Sequence, residues 1–90
     1  MSGFHPHPDV LVRRVGEDAV LVHMGRNEIF AMNPTAARLW ELLTEGRSRA
    51  DAVDQLKSEF DASEETIEQE AASFIALLER EGLVEPERRP

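Results

Sequence analysis

The serine, acidic and histidine side chains are the groups of this 90-residue chain that are able to do chemistry. Ser48 and Ser63 each stand just before a stretch with helical periodicity, where a hydroxyl is favoured as an N-cap. Neither serine has a partnered histidine that would activate it as a nucleophile. We therefore expect both serines to cap helices, and the sequence predicts no enzyme.

Acidic side chains are concentrated just after Ser63. They are Glu64, Glu65, Glu68 and Glu70. A calcium loop needs Asp and Asn at alternate positions and a glycine at its turn, and this segment lacks that pattern. Acids at the start of a helix are also favoured by the helix dipole. We interpret the segment as the solvated acidic face of a helix, with no metal bound.

The composition narrows the remaining classes of function. With 41% hydrophobic and 31% charged residues, the chain is typical of one small folded domain. The net charge of −8 argues against a duplex DNA binder, because phosphate binding depends on Lys and Arg. There is no cysteine, and His5, His7 and His23 are too few and too separated to predict a metal site. No apolar run resembles a membrane span or a signal peptide, so we expect a cytoplasmic protein without a cofactor.

Three short runs of β-favouring residues occupy the first third of the chain. They cover Val10–Val15, Ala19–Met24 and Glu28–Met32. Gly16–Asp18 and Gly25–Asn27 supply the turns between them, since Gly and Asn tolerate positive φ. Runs joined by such turns predict an antiparallel β-meander. One of its outer strands must be an edge with unpaired N–H and C=O groups.

The stretch 27–43, NEIFAMNPTAARLWELL, joins the third strand directly to a helix. Asn33 is a strong N-cap residue, and Pro34 suits the first helical position because its missing N–H has no partner there. The apolar residues that follow recur at a spacing of three or four residues, as on one buried helical face: Ala36, Leu39, Trp40 and Leu43. Strand, corner and helix therefore follow one another without a linker.

Two further helices are predicted after Gly46. The second covers Arg49–Glu59, and the third begins after Ser63 and ends at Gly82. The apolar face of the second consists of Ala52, Val53, Leu56 and Phe60. The buried stripe of the third consists of Ile67, Ala71, Phe74 and Leu78, with Ile75 beside it. The sequence predicts an α+β fold, a three-stranded antiparallel β-meander followed by three helices, similar to a winged helix-turn-helix.

The ordered motifs of this chain resemble the PqqD family of leader-peptide recognition domains, the precursor peptide recognition elements of ribosomal peptide natural-product (RiPP) pathways. The resemblance begins with Phe30 and the bulky Met32 two positions later. Asn33-Pro34-Thr35-Ala36-Ala37, Trp40 and Leu42-Leu43 follow in the same order as in the family. It continues in order through Thr44-Glu45-Gly46, Phe60-Asp61, Phe74, Leu77-Leu78 and Gly82-Leu83-Val84. It covers residues 10–84, which predicts one recognition domain between an N-terminal flexible arm, residues 1–9, and a charged tail, residues 85–90.

The resemblance implies a function without catalysis. A family member binds the leader of a ribosomally made precursor peptide and delivers it to a modifying enzyme. The leader adds as a strand to the third strand of the meander, in the groove against the third helix. The enzyme partner would be a radical SAM enzyme, as in pyrroloquinoline quinone biosynthesis, or a leader protease and cyclase, as in lasso-peptide pathways. The residues do not distinguish these partners.

Carried onto this sequence, the resemblance places the leader along Asn27, Glu28, Ile29, Phe30, Ala31 and Met32. We expect Phe30 and Met32 to face the core, and Ile29 and Ala31 to face the groove or the other side of the sheet. On the third helix the predicted contacts are Glu68, Ala71, Ala72 and Ile75. The alanines either leave room for leader side chains or allow close helix packing. Glu64, Glu65 and Glu68 would favour a leader with Lys or Arg.

Two other functions compete with this interpretation. A winged-helix transcription regulator would need basic residues on its recognition helix, and the third helix opens with acids. A small homodimer could form if the exposed third strand paired with its own copy, which is compatible with leader binding by the same edge.

Overall fold

A computed structural model of the chain describes residues 5–85, in which eight elements follow one another. They are β1 (His5–Pro6), β2 (Val10–Val15), β3 (Asp18–His23), β4 (Glu28–Met32), α1 (Pro34–Thr44), α2 (Arg49–Glu59), α3 (Glu64–Arg80) and β5 (Val84–Glu85). The predicted order of a three-stranded meander followed by three helices is confirmed. A two-residue strand precedes the meander and another follows the helices.

The meander is an antiparallel sheet with the strand order β2-β3-β4. In the second hairpin Leu21 lies opposite Phe30, and Val22 lies opposite Ile29. β3 begins and ends one residue earlier than predicted, because the first turn needs only Gly16, at φ 66°, and Glu17. The central strand β3 therefore pairs on both sides, and β2 and β4 are the edges of this sheet.

The turn between β3 and β4 covers residues 24–27. Asn27 adopts the left-handed conformation at φ 55°, as predicted, whereas Gly25 does not have a positive φ. Gly25 lies close to the chain before β2. A Cβ at this position would collide with the carboxylate of Asp9, so a larger residue would require the Asp9 side chain to move.

Side-chain caps fix where each helix begins. Asn33 Oδ1 accepts a hydrogen bond from the Ala36 N–H at 2.8 Å, and Pro34 follows it in the first turn. Ser48 and Ser63 cap α2 and α3 in the same way, accepting from Asp51 and Thr66 at 3.1 Å. The three predicted caps are confirmed, and the two serine hydroxyls are already engaged in structure.

The hydrophobic core lies between one face of the sheet and the three helices. Ala19, Leu21 and Met32 project from the sheet into it. The helices contribute the predicted apolar faces, and Leu83 closes the core after α3. Met32 is 2% exposed and Phe30 is half-buried, whereas Ile29 is 69% exposed. The predicted facing of β4 is therefore confirmed.

The two ends of the described chain lie beside each other. His5 and Pro6 of β1 pair antiparallel with Glu85 and Val84 of β5. The His7 N–H donates to the Leu83 carbonyl at 3.1 Å, and the His7 ring stacks on buried His23 with 4.7 Å between ring centroids. Residues 1–4 of the predicted arm and 86–90 of the predicted tail lie outside the described residues.

The described part of the chain offers no membrane span, since none of its helices is sufficiently long and apolar. Within residues 5–85 no three His, Cys, Asp or Glu side chains come together in a group able to hold a metal ion.

Candidate functional site

β4 is an edge strand, and its open side lies towards α3. Within the meander β4 pairs only with β3, so alternate backbone N–H and C=O groups of β4 point away from the sheet. β4 leads into α1 at Asn33 with no spare residue, which fixes the edge relative to the helices. This edge can accept another extended chain through main-chain hydrogen bonds.

A groove of about 510 Å³ separates the end of β4 from α3. Its residues come from β4, the start of α1 and one flank of α3. They are Ala31, Asn33, Thr35, Ala36, Leu39, Thr66, Gln69, Glu70, Ala71, Ser73, Phe74 and Leu77. The space is comparable in volume with a small-ligand site, but it is open to solvent and not enclosed.

The groove has an apolar floor and a polar rim. Leu39 and Phe74 are buried, and Leu77 is half-buried beside them. Thr66, Gln69 and Ser73 are exposed along α3. Apolar peptide side chains that pack on this floor are removed from water, which makes the free energy of binding more favourable. The polar rim offers hydrogen bonds that discriminate between peptides.

Arg26 connects the start of β4 with the end of α3, outside the residues that line the groove. Its Nη1 donates to the Glu81 carbonyl at 2.5 Å, and its guanidinium also lies 3.6 Å from the Glu81 carboxylate and 3.2 Å from Glu28. These contacts join the β3–β4 turn to the end of α3. Because Glu28 begins β4 and Glu81 ends α3, the strand and helix run in opposite directions along the groove.

The predicted strand residues occupy different positions around this edge. Ala31 lines the groove. Ile29 and Ala31 lie on the exposed side of β4, Phe30 and Met32 on the core side. Asn27 lies in the turn, and Glu28 pairs with Arg26 at the start of β4. Of the six predicted strand residues, Ala31 is the one that lines the groove, and the rest of the strand edge continues from it towards Arg26.

The predicted helix residues are distributed around α3. Ala71 lines the groove although it is only 2% exposed. Ile75 is also 2% exposed, and it packs in the core. Ala72 is exposed but does not line the groove. Glu68 accepts a hydrogen bond from Lys57 Nζ at 2.6 Å, which raises the pKa of the lysine, so Glu68 lies on the α2 side of α3.

The groove flank of α3 therefore consists of residues that periodicity did not single out. They are Thr66, Gln69, Glu70, Ser73 and Leu77. A buried stripe has two flanks, and spacing alone does not tell which flank faces the strand and which faces α2. Leu77 is the one sequence signal that could have identified the groove flank, because it is an apolar residue beside the buried stripe on the side away from Glu68.

A second hollow, of about 570 Å³, lies between α2 and α3. Val53 and Ala71 line it, and the Lys57–Glu68 ion pair borders it. It contains no open strand edge. Two of its charged residues, Lys57 and Glu68, already pair with each other, so we assign the candidate site to the groove beside the open edge of β4.

The fold and the groove define a class: a small α+β domain that presents an open strand edge against its last helix. Residues 18–84 match the family described as coenzyme PQQ synthesis protein D (PqqD). The chain belongs to the PqqD family. A comparison with curated protein sequences finds no match.

Solved structures of similar fold have been determined with peptides. The one described as lasso peptide synthetase B1 complexed with the leader peptide has a TM-score of 0.81 and 27% sequence identity, covering 94% of this chain and 100% of that one. TbiB1 in complex with the TbiA(beta) leader peptide has a TM-score of 0.78 and 24% identity, covering 94% and 99%. The second likeness shows the shared fold alone.

Proposed function

We propose that this protein binds the leader region of a ribosomally synthesised precursor peptide and delivers it to a modifying enzyme, without catalysing a reaction itself. The observation that carries the proposal is the open edge of β4 beside a groove with an apolar floor. Family membership and the leader complex of the lasso peptide synthetase B1 relative support it.

The leader adds as a strand along residues 27–32. Main-chain hydrogen bonds to β4 provide affinity that is independent of the leader sequence, and alternate side chains enter the groove or point outward. The helix wall consists of Thr66, Gln69, Glu70, Ser73 and Leu77. This wall replaces the predicted contacts at Glu68, Ala72 and Ile75, while Ala71 is retained.

A modifying enzyme then receives the bound precursor. That enzyme is a leader protease and cyclase of the lasso-peptide type or a radical SAM enzyme. Both partners need the leader held and the remainder of the precursor free, and binding along an outer edge provides this. The exposed acids of α3 give no support to the alternative of a winged-helix regulator.

Filling the groove tests the proposal. Ala31→Trp places a large side chain at the exposed strand position that lines the groove, and Ala72→Trp makes the same change on α3 outside it. The probes are labelled leader peptides from lasso-type and PQQ-type precursors, with TbiA(beta) among them, followed by fluorescence anisotropy. We expect Ala31→Trp to weaken binding by about tenfold or more and Ala72→Trp to leave it within about twofold.

The same variants distinguish leader binding from self-pairing. If no leader binds while sedimentation shows a wild-type dimer that Ala31→Trp disrupts, β4 is an interface between two copies. Equal effects of the two tryptophans on leader affinity would contradict the assignment of the groove.

A further inference from the structure

Glu70 is the one charged side chain among the described residues that line the groove. The other members of the lining are apolar or carry neutral hydroxyl and amide groups. Glu70 is exposed, so its charge would attract a peptide cation and repel a peptide anion at the groove through a solvent-screened interaction.

The other acids of α3, which are Glu64, Glu65, Glu68 and Glu79, do not line the groove. Glu68 is bonded to Lys57, and Glu64 acts on the same lysine, so both lie on the α2 side. Glu70, by contrast, makes no ion pair among residues 5–85. The expected attraction of the groove for a basic leader therefore depends on a residue other than Glu68.

The surroundings of Glu70 partly oppose a cation and partly favour one. The N-terminus of α1 borders the same groove and carries about half a positive charge. That end is capped, since Asn33 Oδ1 accepts the Ala36 N–H. A full carboxylate charge outweighs a capped helix end, and the chain's net charge of −8 adds to the attraction at longer range.

We infer that Glu70 is a specificity-determining residue that selects leaders carrying Lys or Arg where the added strand passes the β4–α1 corner. The position follows from the direction of the groove. β4 starts at the Arg26–Glu81 end and finishes at Asn33, and Glu70 lies in the half of α3 that is distant from Glu81. This inference rests on the proposed function, since it names the chemistry of the peptide that the groove takes.

The test is a charge reversal with selected peptides. A display library of randomised linear peptides long enough to span β4 is selected in parallel against the wild type, Glu70→Lys and Glu79→Lys. Glu79 is an exposed acid of α3 that does not line the groove, so the control changes net charge equally. We expect Lys or Arg at one fixed register with the wild type and with Glu79→Lys, and Asp or Glu at that register with Glu70→Lys.

Affinity then measures the size of the effect. A wild-type-selected peptide should bind Glu70→Gln about threefold to fivefold more weakly at low salt, with the difference shrinking at high salt. Enriched peptides whose charge at every register is unaffected by Glu70→Lys would overturn the inference and leave leader binding intact. A library from which the wild type enriches nothing would overturn the proposed function and the inference together.

Discussion

Asn33 is the residue that joins the edge strand to the helical part of the fold. It follows Met32, the last residue of β4, and its Oδ1 accepts a hydrogen bond from the Ala36 N–H in the first turn of α1. The carboxamide also borders the groove, but the cap already engages its oxygen. Its role is therefore to hold the corner that gives the groove its shape.

Removing this cap should cost measurable stability. We predict that Asn33→Ala lowers the free energy of unfolding by about 1 kcal/mol, because an N–H of the first turn loses its acceptor. Asn33→Asp keeps an acceptor and should remain close to the wild type. Urea denaturation followed by the fluorescence of buried Trp40, the chain's single tryptophan, measures both. A wild-type midpoint for the alanine variant would contradict this role.

The roles of single residues were predictable where they depend on neighbouring residues in the sequence. They were not predictable where they depend on how the helices and strands pack. The caps at Asn33, Ser48 and Ser63 depend on neighbouring residues alone, and all three are confirmed. The side of α3 that carries Glu70 is not predictable from the sequence, since it depends on how α3 lies between β4 and α2. The sequence defines the buried stripe but not the partner of each flank.

Among the elements, α1 and α2 are joined by an ion pair at the surface. Arg38 Nε donates to Glu59 Oε1 at 2.8 Å, and its Nη2 donates to Glu59 Oε2 at 3.0 Å. The hydrogen bond from Arg38, reinforced by one from Gln55, lowers the pKa of Glu59 below its ordinary value. The pair links the middle of α1 to the end of α2 and so supports the helical layer behind the groove.

This pair predicts part of the pH dependence of folding. Because the folded pKa of Glu59 is lowered, its contribution is present above the ordinary pKa of about 4.3 and is lost as the pH falls through the lowered value. We expect Glu59→Gln to be less stable at neutral pH by at most about 1 kcal/mol. That difference should disappear as the pH falls below about 4.3 and through the lowered pKa of Glu59.

Urea unfolding across that range is the measurement, with Glu45→Gln as the control. Glu45 makes only a 3.9 Å pair with nearby Arg47. Parallel stability curves for the wild type and Glu59→Gln would show that the pair does not contribute.

Arg26 joins the β3–β4 hairpin to the end of α3, and it should limit local unfolding of the chain that follows α3. Since its side chain is 48% exposed, we predict that Arg26→Ala lowers global stability by less than about 1 kcal/mol. Amide exchange at residues 81–85 should nevertheless become faster, because the Glu81 carbonyl loses its donor. Arg47→Ala, which removes a pair remote from this end, should leave that exchange unchanged. Unchanged exchange in Arg26→Ala would argue that packing alone holds the end of α3.

In the whole domain, as residues 5–85 show it, the helices cover one face of the sheet, and β2 and β4 are its outer strands. The order of strands and helices was predictable, because each element carries its own periodicity and turn residues. The pairing of β1 with β5 was not predictable, since two-residue strands at opposite ends of the chain have no periodic signal. The stacking of the His7 ring on the His23 ring was likewise not predictable, because these residues are distant in sequence.

We propose above all that a leader peptide adds to β4 in the groove against α3. A titration of the isotope-labelled protein with leader peptides, observed by amide NMR shifts, measures this binding directly. We expect saturable shifts along residues 27–32 and on the Thr66–Leu77 flank of α3, with little change on α2. Shifts confined to the α2–α3 hollow, or shifts at β4 that depend on protein concentration and not on peptide, would contradict it.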